Sequence, residues 1–589
     1  MMRKKRNETV KHAVGKRTKA RLAKMALAAG LAGLVMANAA VGAEHAEAAA
    51  AYVKPNLSYE SEPMPAFKNP VPVAQPLWTA DLGRPNEHFE YGADRVAAGG
   101  GKVFYLKEGV LTAADVRTGK TAWTYGKGLQ QPVAYDGGDV FAFGGDGTFH
   151  RIDAATGKAK WTYRLLEKTD GAVFASPPVF DGQTVYVYII GGLFALDRES
   201  GRLLWTSPQP YYSGSLLVAG GLVLVSTVES GAITIDVTYA LDKRTGETVW
   251  RSSSHPAPLL IADGRIYAQN TWPNSDGDTH QFRLDEVDLA TGETVGQRLY
   301  VRVPEGGHGM YYQTFTAAAD ESTIFIQAKD GTIHRFDYRI PGDEQQPKTY
   351  SNPGKWIAGP YNNKLFFEKE GGRGIEAVKI LDGTRAAYEG PDNPVSRLDF
   401  HGTGMFVGQT DGHIYALNVA TGKALFRYRT DAANFDPFHV ENGILLAQAE
   451  SKLYAFALPE ELLRPLDGEP QPGVNYVKAE AKLVIDGVPH MFDPVPVMID
   501  NRMYVPLRAL YEAAGARVHY DEPSGNVYVY FRDRVVTAPQ GVNIRGAVYV
   551  PIREAGTALG ISVEWDGATR TVHVDTGKTG AADAPPQQP

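Results

Sequence analysis

The chain is 589 residues long, more than one hydrophobic core usually organises, so several domains or a repeat architecture are expected. Its 63 Gly and 37 Pro favour many short strands with tight turns, and the lack of cysteine excludes disulfides, thiolate metal sites and covalent haem attachment. The formal net charge of −7 becomes about −16 without residues 1–43, which argues against nucleic acid as a partner.

The first 43 residues have the pattern of an export signal. Basic residues from Arg3 to Lys24 precede an apolar stretch that begins at Met25, and a small-residue cleavage site follows at 41–43. The alternative is an N-terminal membrane anchor, for which the apolar stretch is short. We therefore expect a signal peptide over 1–43, a linker over 44–75, and no transmembrane segment after signal removal.

A repeat organises the next part of the chain. Five segments fit the frame Ala-x-Asp-x-x-Thr-Gly-Lys-x-x-Trp, the last of them with Phe in place of Trp: residues 113–123, 151–161, 195–205, 240–250 and 416–426. A sixth copy at 288–292 keeps the turn and lacks the Trp. Two degenerate units, ending at Asp337 and Gly383, fill the remaining interval.

Each residue type in the frame has a physical role. Asp and Thr side chains can bond the backbone across a turn, Gly permits the positive φ of a tight hairpin corner, and Trp is large enough to bridge one sheet to the next. The predicted structural docking residues are Asp115, Gly119, Trp123, Asp153, Gly157, Trp161, Asp197, Gly201, Trp205, Asp242, Gly246, Trp250 and Trp78.

Four short strands in each unit of this length are typical of a propeller blade. The last unit supplies three strands, near residues 438–440, 444–448 and 452–456, while residues 76–82 place Trp78 in an outer-strand context without a preceding hairpin. The sequence therefore predicts an all-β propeller of eight or nine four-stranded blades over 76–458, closed by an N-terminal strand.

A second internal duplication, offset by 45 residues, follows a linker at 459–476. Residues 504–508, Tyr-Val-Pro-Leu-Arg, match residues 549–553, Tyr-Val-Pro-Ile-Arg. We predict a small α+β domain over 477–575 and a disordered tail over 576–589.

Each half of this duplication predicts a strand, a helix and a hairpin. Pro506 and Pro551 are expected in the first helical turn, because proline lacks an N–H that this turn leaves unpaired anyway. Gly515 and Gly560 are expected to end the two helices.

The Ala-x-Asp-x-x-Thr-Gly-Lys-x-x-Trp frame resembles the tryptophan-docking motif of the pyrroloquinoline-quinone-type β-propeller repeat family. That family contains quinone-dependent dehydrogenases and non-enzymatic propellers that bind proteins or envelope components. The dehydrogenases of the alcohol type imply adjacent cysteines, an Asp base and Ca²⁺ ligands, and this chain has no cysteine, although some related sugar-oxidising propellers also lack the pair. No catalytic, cofactor-binding or metal-binding residue carries over, so no cofactor is expected, with pyrroloquinoline quinone (PQQ) and calcium as the alternative.

Residues 477–575 resemble the domain named for the N-terminal region of copper amine oxidases. In that family the segment is a stalk or surface module rather than the copper site, and it occurs on exported proteins of Gram-positive bacteria. His490, His519 and His573 are too scattered in sequence to predict a three-histidine centre.

Several weaker patterns have two interpretations each. Residues 274–278 are a calcium loop or a polar hairpin tip, His308 and His401 are axial or ordinary loop histidines, and the Tyr pairs at 211–212 and 311–312 contact a sugar or peptide or pack at strand edges. The structural interpretation is the more economical one in each case.

These observations favour an exported, non-catalytic scaffold or binding protein, secreted or associated with the cell surface or wall, whose propeller faces bind an envelope protein or a glycan. The alternatives are a PQQ- and Ca²⁺-dependent dehydrogenase of sugars or alcohols and an envelope-bound sensor module.

Overall fold

The structure is a computed structural model of the chain. It describes the following residues: 70–83, 95–167, 175–189, 192–207, 215–230, 234–253, 255, 258–271, 281–302, 315–319, 323–328, 330–351, 353–369, 373–380, 382–464, 466, 476–479, 482–490, 496–499, 502–521, 526–532, 534–539, 541–544, 547–566 and 569–577. The expected signal peptide, residues 44–69 of the first linker, residues 465 and 467–475 of the second linker and residues 578–589 of the tail lie outside these residues. The chain divides into two compact units between Arg464 and Pro465.

The first unit consists of short strands in regular succession. They begin with β1 (Trp78–Asp81), β2 (Val96–Gly99), β3 (Lys102–Lys107), β4 (Val110–Asp115), β5 (Thr121–Tyr125), β6 (Leu129–Asp136), β7 (Asp139–Gly144), β8 (Thr148–Asp153), β9 (Ala159–Arg164), β10 (Val179–Asp181), β11 (Thr184–Ile189), β12 (Gly192–Asp197) and β13 (Leu203–Ser207). The next are β14 (Ser215–Ala219), β15 (Leu222–Ser230), β16 (Thr234–Asp242), β17 (Thr248–Ser253), β18 (Leu260–Ala262), β19 (Arg265–Gln269), β20 (Gln281–Asp288), β21 (Thr294–Arg302), β22 (Thr316–Ala319), β23 (Thr323–Gln327), β24 (Ile333–Asp337) and β25 (Lys348–Tyr350). The last are β26 (Lys355–Tyr361), β27 (Lys364–Glu368), β28 (Ile375–Lys379), β29 (Arg385–Tyr388), β30 (Val395–His401), β31 (Gly404–Gln409), β32 (His413–Asn418), β33 (Ala424–Arg429), β34 (His439–Glu441), β35 (Ile444–Ala449) and β36 (Lys452–Ala457). Short 3-10 turns occur at Gly342–Glu344 and Glu460–Leu462.

In the described part of this unit the strands form nine four-stranded antiparallel sheets. Eight are consecutive meanders, from β2–β5 as blade 1 to β30–β33 as blade 8, and blade 9 has the order β1-β36-β35-β34. The N-terminal strand β1 therefore supplies the outer strand of the last blade, with Trp78 opposite Ala455 and Asp81 opposite Lys452. This arrangement confirms the predicted all-β propeller and its closure.

Each blade is covered on both faces by its neighbours, and we call the contact between two consecutive blades a joint. In β7, Val140 and Ala142 pack against blade 1, whereas Phe141 and Phe143 pack against blade 3, as the two-residue period of a strand requires. Val103 and Leu446 belong to one buried cluster, which packs blade 1 on blade 9. The ring of joints is therefore closed.

The second unit contains two helices among short strands. In chain order these are β37 (Tyr476–Lys478), β38 (Lys482–Ile485), β39 (Val488–His490), β40 (Val497–Ile499), β41 (Arg502–Pro506), α1 (Leu507–Ala513), β42 (Arg517–Asp521), β43 (Asn526–Phe531), β44 (Arg534–Thr537), β45 (Val542–Ile544), β46 (Ala547–Pro551), α2 (Ile552–Leu559), β47 (Ser562–Asp566) and β48 (Thr571–Asp575). The sheets have the orders β37-β40-β41-β46-β45, β39-β38-β48-β47 and β42-β43-β44.

The duplication accounts for the centre of this unit. Val505 and Val550, which are 45 positions apart, pair directly across the antiparallel contact of β41 with β46, and both are fully buried. Leu507 and Leu510 of α1 enter the same core, with exposed fractions of 3% and 0%. The strand β38, which precedes both repeats, pairs in parallel with β48.

The helix ends differ in detail from the prediction. Pro506 and Pro551 occupy the N-cap positions, one residue before the first turn, because each is also the last residue of a strand. Gly560 caps α2 in a left-handed conformation with φ +69°, as expected. In the first repeat Ala514 is the capping residue, and Gly515 follows it with φ +85°.

Among the described residues, neither helix of the chain has the length and apolar character needed to cross a membrane.

Candidate functional site

The turns of the well-matched motif copies share one geometry. In blade 2, Asp153 Oδ1 accepts hydrogen bonds from Thr156 N at 2.8 Å and Thr156 Oγ1 at 2.7 Å, and Gly157 N donates to Asp153 O at 2.8 Å. Asp115, Asp197 and Asp242 accept the backbone N–H three residues later at 2.7–2.8 Å. The turn therefore satisfies its own polar groups at the corner of each hairpin.

These hydrogen bonds stabilise the charged carboxylates. The Thr118 and Thr156 hydroxyls lower the pKa of Asp115 and Asp153 respectively, and the Ser200 hydroxyl does the same at Asp197. The motif carboxylates are thus acceptors within their own turns rather than free ligands.

The tryptophans of the motif lie in the joints. Each indole Nε1–H donates to the carbonyl that follows the motif Asp of the next blade. The pairs are Trp78 with Val116 O at 2.9 Å, Trp123 with Ala154 O at 3.1 Å, Trp161 with Arg198 O at 2.9 Å, Trp205 with Lys243 O at 2.9 Å, and Trp250 with Leu289 O at 2.9 Å. Every docking tryptophan singled out in the sequence therefore bridges two blades.

Each of these indoles also lies flat on the motif glycine of the next turn. Gly201 has φ +72°, and a Cβ on it would lie 2.5 Å from Trp161 Cδ2, closer than real atoms approach. The corresponding shortest distances are 2.7 Å from Gly119 to Trp78, 2.6 Å from Gly157 to Trp123, 2.3 Å from Gly246 to Trp205 and 2.5 Å from Gly292 to Trp250. Glycine is therefore needed for the docking surface as well as for the turn.

Sequence analysis missed three tyrosines that take the place of tryptophan, one after the copy at 288–292 and one in each of the two degenerate units. Their hydroxyls donate to the equivalent carbonyls: Tyr300 to Tyr338 O at 3.1 Å, Tyr350 to Ile380 O at 2.6 Å, and Tyr388 to Val419 O at 2.5 Å. They do not align with the tryptophans because the register is shifted. Trp205 stands opposite Ala195, two residues before the motif Asp, whereas Tyr350 stands opposite Ile333, four residues before Asp337.

The joint between blades 8 and 9 is closed differently. Phe426 has no donor and packs on Phe456 with ring centroids 5.6 Å apart. Alongside it, Ala74 N donates to Arg427 O at 2.9 Å and Arg427 N donates to Pro72 O at 2.8 Å. The segment before β1 therefore covers the outer edge of β33 before it crosses to blade 9.

A buried lysine reinforces the joint between blades 7 and 8. Lys364 Nζ donates to Val419 O at 2.6 Å and to Ala420 O at 3.0 Å, and the residue is 5% exposed. Burial lowers the pKa of Lys364 to about 8.

The weaker sequence patterns have few counterparts that can be located. Residues 211–212, 274–278, 308 and 311–312 lie outside the described residues. His401 is an exposed residue at the end of β30. Within the described ranges, no group of three or more His, Asp or Glu residues is placed to hold a metal ion.

Comparison with known families gives two matches in different parts of the chain. The family described as "Outer membrane protein assembly factor BamB" matches residues 74–295, and the "Copper amine oxidase N-terminal domain" matches residues 484–543 and 533–582. The chain therefore combines PQQ-type propeller repeats with a domain of the copper amine oxidase N-terminal type, as the motifs indicated.

The curated relatives cover part of the chain. The outer membrane protein assembly factor BamB of Burkholderia pseudomallei (strain K96243) is 26% identical over 209 residues, which are 32% of this chain and 48% of the relative. Its namesake in Moranella endobia (strain PCIT) is 27% identical over 170 residues, 28% of this chain and 36% of the relative. The chain thus spans half or less of the length of these relatives.

Two solved structures illustrate the range of similar chains. BamB from Moraxella catarrhalis is 18% identical, with a TM-score of 0.37, over 66% of this chain and 100% of that chain. The quinohemoprotein alcohol dehydrogenase of Comamonas testosteroni is 15% identical, with a TM-score of 0.38, over 69% of this chain and 79% of that chain.

Proposed function

We propose that the chain is an exported scaffold of the bacterial envelope or extracellular space, whose propeller binds a protein or glycan partner through its faces. The second unit then serves as a surface module. The observation that carries this proposal is the commitment of the motif side chains to structure: the docking indoles bond carbonyls across joints, and the motif carboxylates bond their own turns. A closed ring whose motif aromatic side chains hold its blades together is suited to presenting a binding surface to a partner.

The relatives support a protein partner in particular. Their printed name is outer membrane protein assembly factor, and the match to that family lies within the propeller. We carry over from them only the class of activity, which is the binding of other proteins in the cell envelope.

The alternative function requires a quinone held by Ca²⁺. Such an ion needs several oxygen ligands at one place, and no cluster of three or more acidic or histidine side chains is assembled in the described ranges. We therefore derive no oxidation step, and the dehydrogenase is kept as the alternative outcome of a direct test.

Photo-crosslinking in the native host tests the proposal. Successive hairpin turns alternate between the two faces of an antiparallel meander, so exposed Arg244 in a motif turn and exposed Ser230 beside the β15–β16 turn represent opposite faces. A benzophenone amino acid placed at each position should yield a discrete adduct on at least one face. The same group at exposed Thr206, on the outer strand β13, is the matched rim control and should yield none.

Two results would overturn the scaffold. One is the lack of any adduct at both faces in cells that contain the folded protein. The other is dye reduction by the purified chain with PQQ, Ca²⁺ and a sugar or an alcohol, which would establish the dehydrogenase instead.

A further inference from the structure

A serine, a histidine and an aspartate form a hydrogen-bonded chain across the joint between blades 4 and 5. Ser252 Oγ lies 2.8 Å from His255 Nδ1, and His255 Nε2 lies 2.8 Å from Asp285 Oδ2. Hydroxyl, imidazole and carboxylate follow one another in the order that activates a serine nucleophile, with the two ring nitrogens exchanged relative to the Ser-His-Asp triad.

The strands bring these groups together from two blades. Ser252 follows Trp250 by two residues in β17, so both side chains lie on the side of the sheet that packs against blade 5. Asp285 and Val287 are likewise two residues apart in β20, and Val287 packs in the same buried cluster as Trp250. The docking tryptophan therefore fixes the spacing of the two blades next to the Ser-His-Asp chain.

The environment of Asp285 fixes its charge. Burial by itself raises the pKa of Asp285. The hydrogen bonds from His255, Gln297 and Asn270 nevertheless hold this pKa below its ordinary value. Asn270 Nδ2 donates at 2.7 Å and Gln297 Nε2 at 2.8 Å, and the carboxylate is 2% exposed. When His255 donates its Nε2–H to this carboxylate, Nδ1 is the ring nitrogen that faces Ser252 Oγ and can accept its proton.

The serine lies at the accessible edge of the joint. His255 is buried at 6% exposure, whereas Ser252 is half-buried on an outer strand. Across the joint, Val295 and Leu299 of β21 are 50% and 45% exposed and stand two residues on either side of Gln297, which is paired with Asp285. Leu299 therefore lies on the side of β21 that carries Gln297, and Val295 is the extra residue of a β-bulge beside it.

We propose that this joint is an ester-hydrolysing site with Ser252 as nucleophile, His255 as general base and Asp285 as its positioning residue. The exposed Val295 and Leu299 favour carboxylic esters with an apolar acyl group. This activity goes beyond the scaffold function and does not depend on it. It replaces the expectation that the chain is non-catalytic.

The reaction needs only the ester and water. Ser252 Oγ bonds to the carbonyl carbon while its proton passes to His255 Nδ1. The ester C–O bond then breaks, and the leaving alcohol takes that proton from His255. Water attacks the acyl-serine in the same manner and releases the carboxylic acid, which restores the free hydroxyl.

A fluorophosphonate probe on the full-length chain tests this assignment, together with hydrolysis of p-nitrophenyl butyrate. We expect one probe molecule per wild-type chain, located at Ser252 by peptide mass spectrometry, and no labelling of Ser252→Ala. The matched control is Ser253→Ala, because Ser253 is the exposed neighbour on the opposite side of β17 and should label as wild type does. His255→Gln should slow labelling by about 100-fold or more.

Asp285→Asn tests positioning rather than folding. It is expected to lower kcat for the ester by more than it changes KM, with the melting temperature measured in parallel. Because Ser252→Ala removes a single oxygen atom, it decides the question even if the His255 or Asp285 variants do not fold. Unlabelled wild type, or labelling that persists in Ser252→Ala, overturns the site. The Ser252→Ala variant should still crosslink to a partner whether or not the wild type hydrolyses esters. A negative result for the esterase therefore does not count against the proposed scaffold function.

Discussion

The substitution Gly201→Ala separates the two demands that the motif places on its glycine. A left-handed backbone costs an L-residue about 1–2 kcal/mol, and this term applies at any of the positive-φ glycines. At Gly201 the new methyl group also collides with the Trp161 indole, 2.5 Å away, so the ring must move. Its movement breaks the partly buried bond from Nε1 to Arg198 O, and a polar group left unpaired costs about 1–3 kcal/mol when it is buried, which is an upper range here.

The total expected loss in the free energy of unfolding is therefore about 2–5 kcal/mol. The loss in the free energy of unfolding has an upper limit. This limit is the backbone term plus about 3–5 kcal/mol, the cost of removing a buried tryptophan side chain completely. The matched control is Gly383→Ala. Gly383 has φ +77° in the corresponding turn, but its Cβ would lie 3.4 Å from Tyr350, an ordinary contact, so only the backbone term of about 1–2 kcal/mol applies.

Urea unfolding of the full chain measures both variants, with intrinsic fluorescence and far-ultraviolet circular dichroism as independent probes. The comparison is valid where the slope with urea is the same for wild type and variants. Equal losses for Gly201→Ala and Gly383→Ala would refute the reasoning, because they would mean that the indole exerts no steric demand on the glycine.

Three further predictions concern other contacts. Tyr300→Phe removes the hydroxyl that bonds the Tyr338 carbonyl and should lower the free energy of unfolding by about 1–3 kcal/mol in thermal unfolding; an unchanged melting temperature would contradict its docking role. Burial lowers the pKa of Lys364 from 10.5 to about 8, so between these values the unfolded state binds a proton that the folded state has lost. The free energy of unfolding of wild type minus that of Lys364→Met should therefore rise from pH 8 to pH 10.5 in urea titrations. A difference that does not change with pH would contradict the lowered pKa. Asp486→Ala removes the acceptor of bonds from Thr576 N at 2.8 Å and Oγ1 at 2.6 Å, so hydrogen exchange at the Thr576 amide should accelerate, whereas exchange in the propeller should not.

Sequence patterns were sufficient for the architecture because the repeat encodes local structure. The Asp, Thr and Gly of a motif such as 195–205 specify a hairpin corner through contacts within a few residues. The composite blade was also predictable. The last blade has only three strands from the C-terminal end of the repeat and needs a fourth, and Trp78 indicated the segment that supplies it. In the second unit, a repeat without gaps placed Val505 and Val550 at equivalent positions, and equivalent positions pair across the centre.

The candidate site could not be predicted in the same way, because its parts are distant in sequence and its geometry depends on register. Tyr350 and Tyr388 were missed since a shift along the outer strand moves the aromatic ring away from the position that a fixed frame examines. Ser252 and His255 are close in sequence, but nothing there indicates that Asp285 of the next blade will accept a bond from the imidazole. One sequence signal could have identified these tyrosines: each occurs on the strand that follows a turn whose blade lacks the docking tryptophan.

The joints explain how the ring tolerates degenerate copies of its motif. Within the described residues, each of the first eight joints, counted from Trp78, delivers an N–H or O–H donor to the carbonyl at one position of the next turn, and either tryptophan or tyrosine can supply it. The demand on the facing glycine changes with the donor. A Cβ would lie 2.3–2.7 Å from the indole in the tryptophan joints, but 3.4 Å from Tyr350 at Gly383. At Gly422 the Tyr388 ring is also distant, but a Cβ there would lie 2.8 Å from Ala387 O, so the backbone keeps the requirement for glycine. At Gly383 the smaller ring that reaches the same carbonyl therefore relaxes the steric requirement on the turn, so the aromatic residue and the facing turn can diverge together while the blade spacing is retained.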